Sequence, residues 1–212
     1  MGFFQKLKEA VQEADEKRER EEERRKRLEG TGVNCSISYK KTFDSFIAFD
    51  VETTGLDGRK DRIVELSALK FEDGKVVDSF STLINPGRPI PAEVSKINHI
   101  RDKDVQYAPS EKKAMDKFSF WLGEAKEGEI ALVAHNASFD ISFLESAFVR
   151  SGVDATIKYK DTLSMARRKL PDLENHKLGT VAEHFGIEMK NAHRAESDAE
   201  VCGKIFIELL KE

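Results

Sequence analysis

Two carboxylates stand two residues apart at the end of an apolar run, Phe46-Ile47-Ala48-Phe49-Asp50-Val51-Glu52. Side chains alternate along a strand, so Phe46, Ala48, Asp50 and Glu52 share one face, and the two acids emerge about 7 Å apart along it. An exposed edge strand would accommodate them, but the flanking residues are too apolar for an edge. A third acid, Asp140, falls on a helical stripe with Ala137, Phe143, Leu144 and Ala147, where a bare carboxylate would be costly. That position also suits the positive end of a helix dipole, in a helix starting near Ser138. A fourth, Asp198, interrupts the stripe formed by Ala195, Cys202, Ile205 and Leu209. Divalent cations would reconcile four acids with sites that should penalise them. Oxygen ligands of this kind suit Mg²⁺ or Mn²⁺, and two such ions about 3.5–4 Å apart can hold the attacking and leaving oxygens of a phosphodiester during in-line displacement. His193, five residues before Asp198, is a candidate for deprotonating the attacking water at neutral pH. It also reads as an ordinary residue at a helix N-terminus.

The elements that must position these residues are legible from periodicity and punctuation. Strands are expected at Ser45–Val51, Arg62–Phe71 and Lys75–Ile84, the last two joined by a short Glu72-Asp73-Gly74 turn of hairpin type, which makes an antiparallel meander. Pro86, Gly87, Pro89 and Pro91 mark an extended connection. Helical spacing follows from Ser110 to about Lys126, then a short strand at Ile130–Ala134 and a helix over Ala137–Val149. A strand at Thr156–Tyr159 precedes helices at Thr162–Leu170, Leu178–Phe185 and roughly Ala195–Leu210. Antiparallel strands followed by alternating helix and strand predict an α/β fold, a mixed sheet of five strands flanked by helices.

The chain has 212 residues, enough for one domain with a full core plus an appendage. Charged residues make up 35% against 39% hydrophobic, and the excess charge sits at the front. Residues 1–29 hold nine bases and nine acids, with Glu16/Arg20, Glu21/Arg25, Glu22/Lys26 and Glu23/Arg27 at i,i+4 spacing. A charged helical arm is expected there, followed by a linker over 30–44 and the catalytic domain over 45–212. Phe3, Leu7, Ala10, Val11 and Ala14 form an apolar stripe on the arm. The stripe suits either packing on its own domain or docking to another protein or subunit. The net charge of −4 supplies no global positive field for gripping long duplex nucleic acid, yet a strand end held through metal ions needs few phosphate-neutralising side chains. No segment reaches the ~20 apolar residues of a membrane span, and the cysteines, Cys35 and Cys202, have no metal-binding spacing. A reducing, cytoplasmic setting is the expectation.

Three segments carry a family resemblance. Asp50-Val51-Glu52-Thr53-Thr54-Gly55-Leu56, His135-Asn136-Ala137-Ser138-Phe139-Asp140 and His193-Arg194-Ala195-Glu196-Ser197-Asp198 resemble, in order and spacing, the three motifs of the DEDDh 3′–5′ exonucleases. Within that family the sequence is most similar to the proofreading (epsilon) exonuclease subunits and domains of bacterial DNA polymerase III. The resemblance implies a ribonuclease H-like fold, two divalent metal ions (Mg²⁺ or Mn²⁺), and release of nucleoside 5′-monophosphates from single-stranded or frayed 3′ ends of DNA. It implies Asp50, Glu52, Asp140 and Asp198 as metal ligands and His193 as general base. Thr53, Thr54 and Phe139 would lie against the terminal nucleotide, as would His99 in Ile97-Asn98-His99-Ile100, which can equally be a satisfied loop residue. Polymerase-bound relatives carry a C-terminal polymerase-binding tail, whereas this sequence ends at Lys211-Glu212 directly after its final helix, so a stand-alone repair or trimming role is also expected. The alternatives are an RNA 3′-end trimming exoribonuclease of the same family, since the motifs do not report the sugar, and a non-catalytic nucleic-acid-binding module.

Overall fold

The computed structural model describes residues 22, 28–40, 43–189 and 194–212. The charged arm, apart from residues 22, 28 and 29, and His193 lie outside the described residues. The remainder forms a six-stranded mixed sheet of β1 (Val33–Ile37), β2 (Ser45–Thr53), β3 (Ile63–Glu72), β4 (Lys75–Leu83), β5 (Ala131–Ala134) and β6 (Ala155–Asp161), in the order β1-β6-β5-β2-β3-β4. Strands β1, β6, β5 and β2 run parallel, and β2, β3 and β4 form the antiparallel meander. Asp73 and Gly74 both have positive φ (48° and 75°), the requirement of the two-residue turn that joins β3 to β4.

The sheet has one strand more than the five expected. The sixth is β1, built from residues read as linker. Only Val33 and Cys35 of β1 point into the core, and Asn34 and Ile37 are exposed. A short edge strand covered on one face carries too few apolar residues to stand out. The stretch expected to be extended around Pro86–Pro91 is followed by two short helices, α1 (Ala92–Asn98) and α2 (Asp102–Val105). Pro91 caps the start of α1, at φ −58°, instead of breaking a helix.

Five further helices cover the sheet: α3 (Glu111–Leu122), α4 (Ala137–Ser151), α5 (Thr162–Lys169), α6 (Leu178–His184) and α7 (Ala195–Lys211). The odd-numbered residues of β2, Ile47, Phe49 and Val51, pack with Met115 and Phe118 of α3 and with Phe143, Leu144 and Phe148 of α4. The even-numbered Phe46 and Ala48 pack on the opposite face with Ala199, Cys202, Ile205 and Phe206 of α7. Gly203 lets α7 lie close, since a Cβ there would fall 2.4 Å from the Phe71 ring and 3.1 Å from Ala48 Cβ. Phe71 cannot give way easily, because it stacks on Phe46 at 4.8 Å. The alternation that puts Phe46 and Ala48 under α7 also delivers Asp50 and Glu52 to the end of that helix.

Candidate active site

The parallel strands β2, β5 and β6 end at one edge of the sheet, and the four acids converge there. Strand β2 is central, between β5 and β3, so the edge-strand reading of Asp50 and Glu52 does not hold. Asp50, Glu52 and Asp198 each place a carboxylate oxygen within 4.8 Å of the others, a spacing that one cation could bridge. Asp140 is buried just outside that trio and reaches it from the other face of the sheet. The last β2–β5 pairing is Ala48 with Val133, and beyond it the Val51 N–H donates to Asp140 Oδ1 at 3.3 Å. The acid thereby satisfies a strand amide that β5 is too short to reach.

Helix α4 is held in place by Asp161, the last residue of β6. Its Oδ1 accepts from the N–H groups of Asn136 (3.0 Å), Ala137 (3.2 Å) and Leu163 (3.1 Å), tying the starts of α4 and α5 to the sheet edge. Asn136 completes the turn in the left-handed region at φ 66°, a conformation asparagine tolerates better than most residues. His135 is fixed by Thr162 Oγ1 (2.9 Å) and the His176 carbonyl (2.8 Å). Burial is the main reason its proton affinity lies below the ordinary imidazole value.

A fifth acid, Glu65, was not expected at the site. It pairs directly across from Glu52 in the β2–β3 register, so both project to the α7 face. Glu65 is buried, and it accepts from Arg194 Nη2 (2.7 Å), Arg194 Nε (3.2 Å) and the Ala195 N–H (3.2 Å). This fork pins the first residue of α7, three residues ahead of Asp198. The register shift that follows Glu52 and Glu65 marks where the strands part, a common place for a bulge to re-aim side chains. An acid within Ile63-Val64-Glu65-Leu66, otherwise apolar, was the available signal.

Of the residues expected against a terminal nucleotide, Thr53 and Thr54 follow Glu52 directly, Phe139 precedes Asp140, and His99 follows Asn98, whose amide bonds the Glu52 carboxylate. Thr53 and Thr54 are buried, and their hydroxyls are engaged in the following loop: Thr53 Oγ1 donates to the Gly55 carbonyl (2.6 Å), and Thr54 Oγ1 accepts from the Arg62 N–H (3.0 Å). Arg150 steadies that loop through the Gly58 carbonyl while forking onto Glu111 with two 2.7 Å contacts. Leu56 is left 87% exposed on it. His99 caps α1 in the left-handed region (φ 60°) and is exposed, whereas Asn98 beside it is buried. Phe139 is half-buried against Phe143, ring centroids 4.9 Å apart.

Burial and mutual repulsion dominate the electrostatics of these acids. Burial and then Asp198 and Glu65 push Glu52 up to about 8 from an ordinary 4.5, against the opposing pull of the Asn98 amide and Arg194. Asp50 is raised by burial first, then by Asp140, Glu52, Asp198 and Glu65. Asp140 is raised by burial, against backbone hydrogen bonds that stabilise its ionised form.

The consequence for stability has a definite sign. Without metal, the folded chain keeps protons that the unfolded chain releases, so these acids favour folding below about pH 4.5, and that contribution is lost as pH rises towards 8. Asp57 and Asp104 are shifted downward from 3.8, and their opposite effect falls below that pH. His135, lowered from 6.5, adds an opposite slope only near and below 6.5. Between pH 7 and 8 in EDTA the melting temperature is therefore expected to fall, and Mg²⁺ or Mn²⁺ should restore it most at the alkaline end. A flat or rising EDTA profile would contradict the assignment of Glu52 as a proton-holding acid.

The fold and the carboxylate edge together describe a nuclease. Residues 47–206 match the RNase T family model, described as exonuclease. The match runs from β2 into α7, well over half of the chain, and the chain belongs to this exonuclease family. The DNA polymerase III PolC-type of Caldanaerobacter subterraneus subsp. tengcongensis is 39% identical over 167 residues, and that of Oceanobacillus iheyensis is 40% identical over 169. Each alignment covers 79% of this chain and 12% of the relative, so the chain spans a small part of the length of the curated relatives it matches. A solved structure of exonuclease X in complex with 5′ overhanging duplex DNA superposes with a TM-score of 0.62 at 25% identity, over 78% of this chain and 91% of that one. Exonuclease I superposes with a TM-score of 0.67 at 18% identity, over 79% and 42%, a likeness of fold. The ribonuclease H-like architecture expected from the motifs is the one observed, with its extra edge strand. Among the described residues, no helix is long and apolar enough to cross a membrane.

Glu65→Gln tests the fork. The amide can still accept from Ala195 but loses the charge pair with Arg194. Outer partners of metal ligands typically contribute 10–100-fold to affinity or activity, so a loss of that size is expected in metal-dependent turnover. Unchanged turnover and metal affinity would show that α7 is positioned without the fork.

Proposed function

We propose that the chain is a metal-dependent exonuclease that works in the 3′–5′ direction on DNA and releases nucleoside 5′-monophosphates. The observation that carries this reading is the convergence of Asp50, Glu52 and Asp198 within 4.8 Å, beside buried Asp140, at the end of a central strand. All four are oxygen donors, and the three acids whose proton affinity is clearly raised would be relieved by bound cations, so the donor set fits Mg²⁺ or Mn²⁺. Two such ions would supply charge stabilisation for the phosphoryl oxygens and the leaving group.

The protein's own groups do the rest. Asp50, Glu52, Asp140 and Asp198 hold the ions. Glu65 and Arg194 keep Asp198 in register through the start of α7. His193 removes a proton from the attacking water, a role suited to a group titrating near neutrality. The loop after Thr53 and Thr54, with exposed Leu56 and His99, borders the place for the terminal nucleotide, and Phe139 backs it. The polymerase relatives favour DNA over RNA as the substrate.

Digestion of 5′-labelled and 3′-labelled DNA and RNA oligonucleotides in Mg²⁺, Mn²⁺ or EDTA tests the proposal. A ladder from 5′-labelled DNA, a labelled mononucleotide from 3′-labelled DNA, and silence in EDTA are expected. Cleavage from the 5′ end, or activity that survives chelation, would refute it; faster digestion of RNA would reassign the substrate.

A further inference from the structure

A cavity opens on the same edge of the sheet as the carboxylates. It measures about 630 Å³ and is framed by His135 and Asn136 after β5, Leu163 and Arg167 on α5, and the segment from Asn175 to Leu178 that starts α6. Among the described residues no carboxylate lines it, in a chain whose net charge is −4. Arg167 and Lys177 are exposed, and neither side chain has a hydrogen-bond or ion-pair partner among the described residues. The walls between these cations are half-buried leucines, Leu163 and Leu178, and the ring of His176, whose Nε2 is fixed on the Leu170 carbonyl at 2.8 Å. Unpaired cations alternating with flat or apolar surface form the chemistry that a single polynucleotide strand requires: charge for its phosphates and contact area for its sugars and bases.

The position adds direction. The cavity lies at the ends of β5 and β6, and β6 is two strand spacings, about 10 Å, from β2 and its acids. Asn136, on the cavity wall, is four residues before Asp140 and shares Asp161 with α5 through the 3.0 Å bond from its N–H. A strand whose terminal phosphodiester met the carboxylates would therefore be within reach of Arg167 and Lys177 a few nucleotides upstream.

We infer that this cavity is a subsite for the sugar–phosphate backbone of single-stranded nucleic acid on the 5′ side of the bond being cleaved, with Arg167 and Lys177 as its phosphate contacts. The inference rests on the exonuclease reading and deepens it, because it makes affinity depend on strand length while the chemistry at the end stays the same.

The experiment compares the parent, the double variant Arg167→Ala/Lys177→Ala, and the charge-retaining Arg167→Lys/Lys177→Arg. Three readouts are taken: hydrolysis of thymidine 5′-(p-nitrophenyl phosphate), which is too short to reach the cavity; KM for a 12-residue oligothymidylate; and anisotropy of the labelled 12-mer bound in Ca²⁺. The alanine pair should raise KM and Kd for the 12-mer about tenfold or more and leave ester turnover within twofold. The slope of log Kd against log salt should fall by about 1.4, the value for two contacts on a single strand. The charge-retaining pair should keep the parent slope. An unchanged 12-mer affinity and salt slope would overturn the subsite, as would equal losses on ester and 12-mer, which would make the two residues structural. Failure of the parent to cleave either substrate would instead count against the exonuclease reading, while the binding arm would still decide the subsite.

Discussion

Asp50→Asn is expected to abolish nuclease turnover and, in EDTA, to raise the melting temperature. The amide keeps the shape of the side chain and loses the charge. At the catalytic step, an ion deprived of this ligand loses several kcal/mol of its ability to stabilise developing charge. A barrier higher by about 4 kcal/mol corresponds to roughly 10³-fold in rate. In the metal-free protein the sign reverses. Asp50 is burdened by burial and by four neighbouring carboxylates, Asp140, Glu52, Asp198 and Glu65. Removing one charge relieves that repulsion, and each kcal/mol regained should raise the melting temperature by about 2–4 °C in a domain of this size. The gain should be largest near pH 8, where the parent's acids are most ionised, and should shrink towards pH 5. Near-normal turnover of this variant in Mg²⁺ would exclude Asp50 from the site; a lower melting temperature in EDTA would show that its carboxylate is a net structural asset instead.

The opposite effects of one substitution on turnover and stability also explain why the acids could be found in the sequence. Each interrupts an apolar pattern whose burial the structure bears out: Phe46 and Ala48 before Asp50, Ala137 and Leu144 around Asp140, Ala195 and Cys202 around Asp198. Site residues that violate a local rule stand out against it. Glu65 violates the same rule but was hidden inside a strand judged as a whole; only the cross-strand register, which places it opposite Glu52, reveals its face. The edge strand β1 was lost for the converse reason. Val33 and Cys35 are buried, but Asn34 between them, Ser36 after them and the glycines at 30 and 32 read as linker until β6 is seen beside them. The helices α1 and α2 were obscured by Pro91, whose fixed φ serves a helix start as readily as a break. Three of the four expected metal ligands form a tight trio, and the fourth, Asp140, is also engaged with the Val51 amide, a contact that no spacing rule anticipates.

His193→Ala is expected to lower turnover by about 10²–10⁴-fold, the usual contribution of a positioned general base. His193 itself lies outside the described residues, but its neighbour in sequence does not: Arg194 is locked onto Glu65, and Ala195 begins the helix that carries Asp198. That anchor, one residue after His193 in sequence, is fixed on Glu65 directly across from Glu52, which is the reason to test His193 as the base. If His193 takes the proton, its protonated form is inactive, and the parent's rate should rise with pH through an apparent pKa in the imidazole range, displaced by the neighbouring charges. Metal-bound water ionises in the same range, so the parent profile alone does not identify the base. The comparison of parent and variant at saturating Mg²⁺ does. A general base acts only in the transition state, so the variant should lose kcat, with little change in KM or in metal affinity measured by the metal-dependent rise in melting temperature. Its remaining rate should also lack the parent's inflection. An unchanged rate with an unchanged inflection would remove His193 from the reaction; a loss confined to metal affinity would make it a ligand instead of a base.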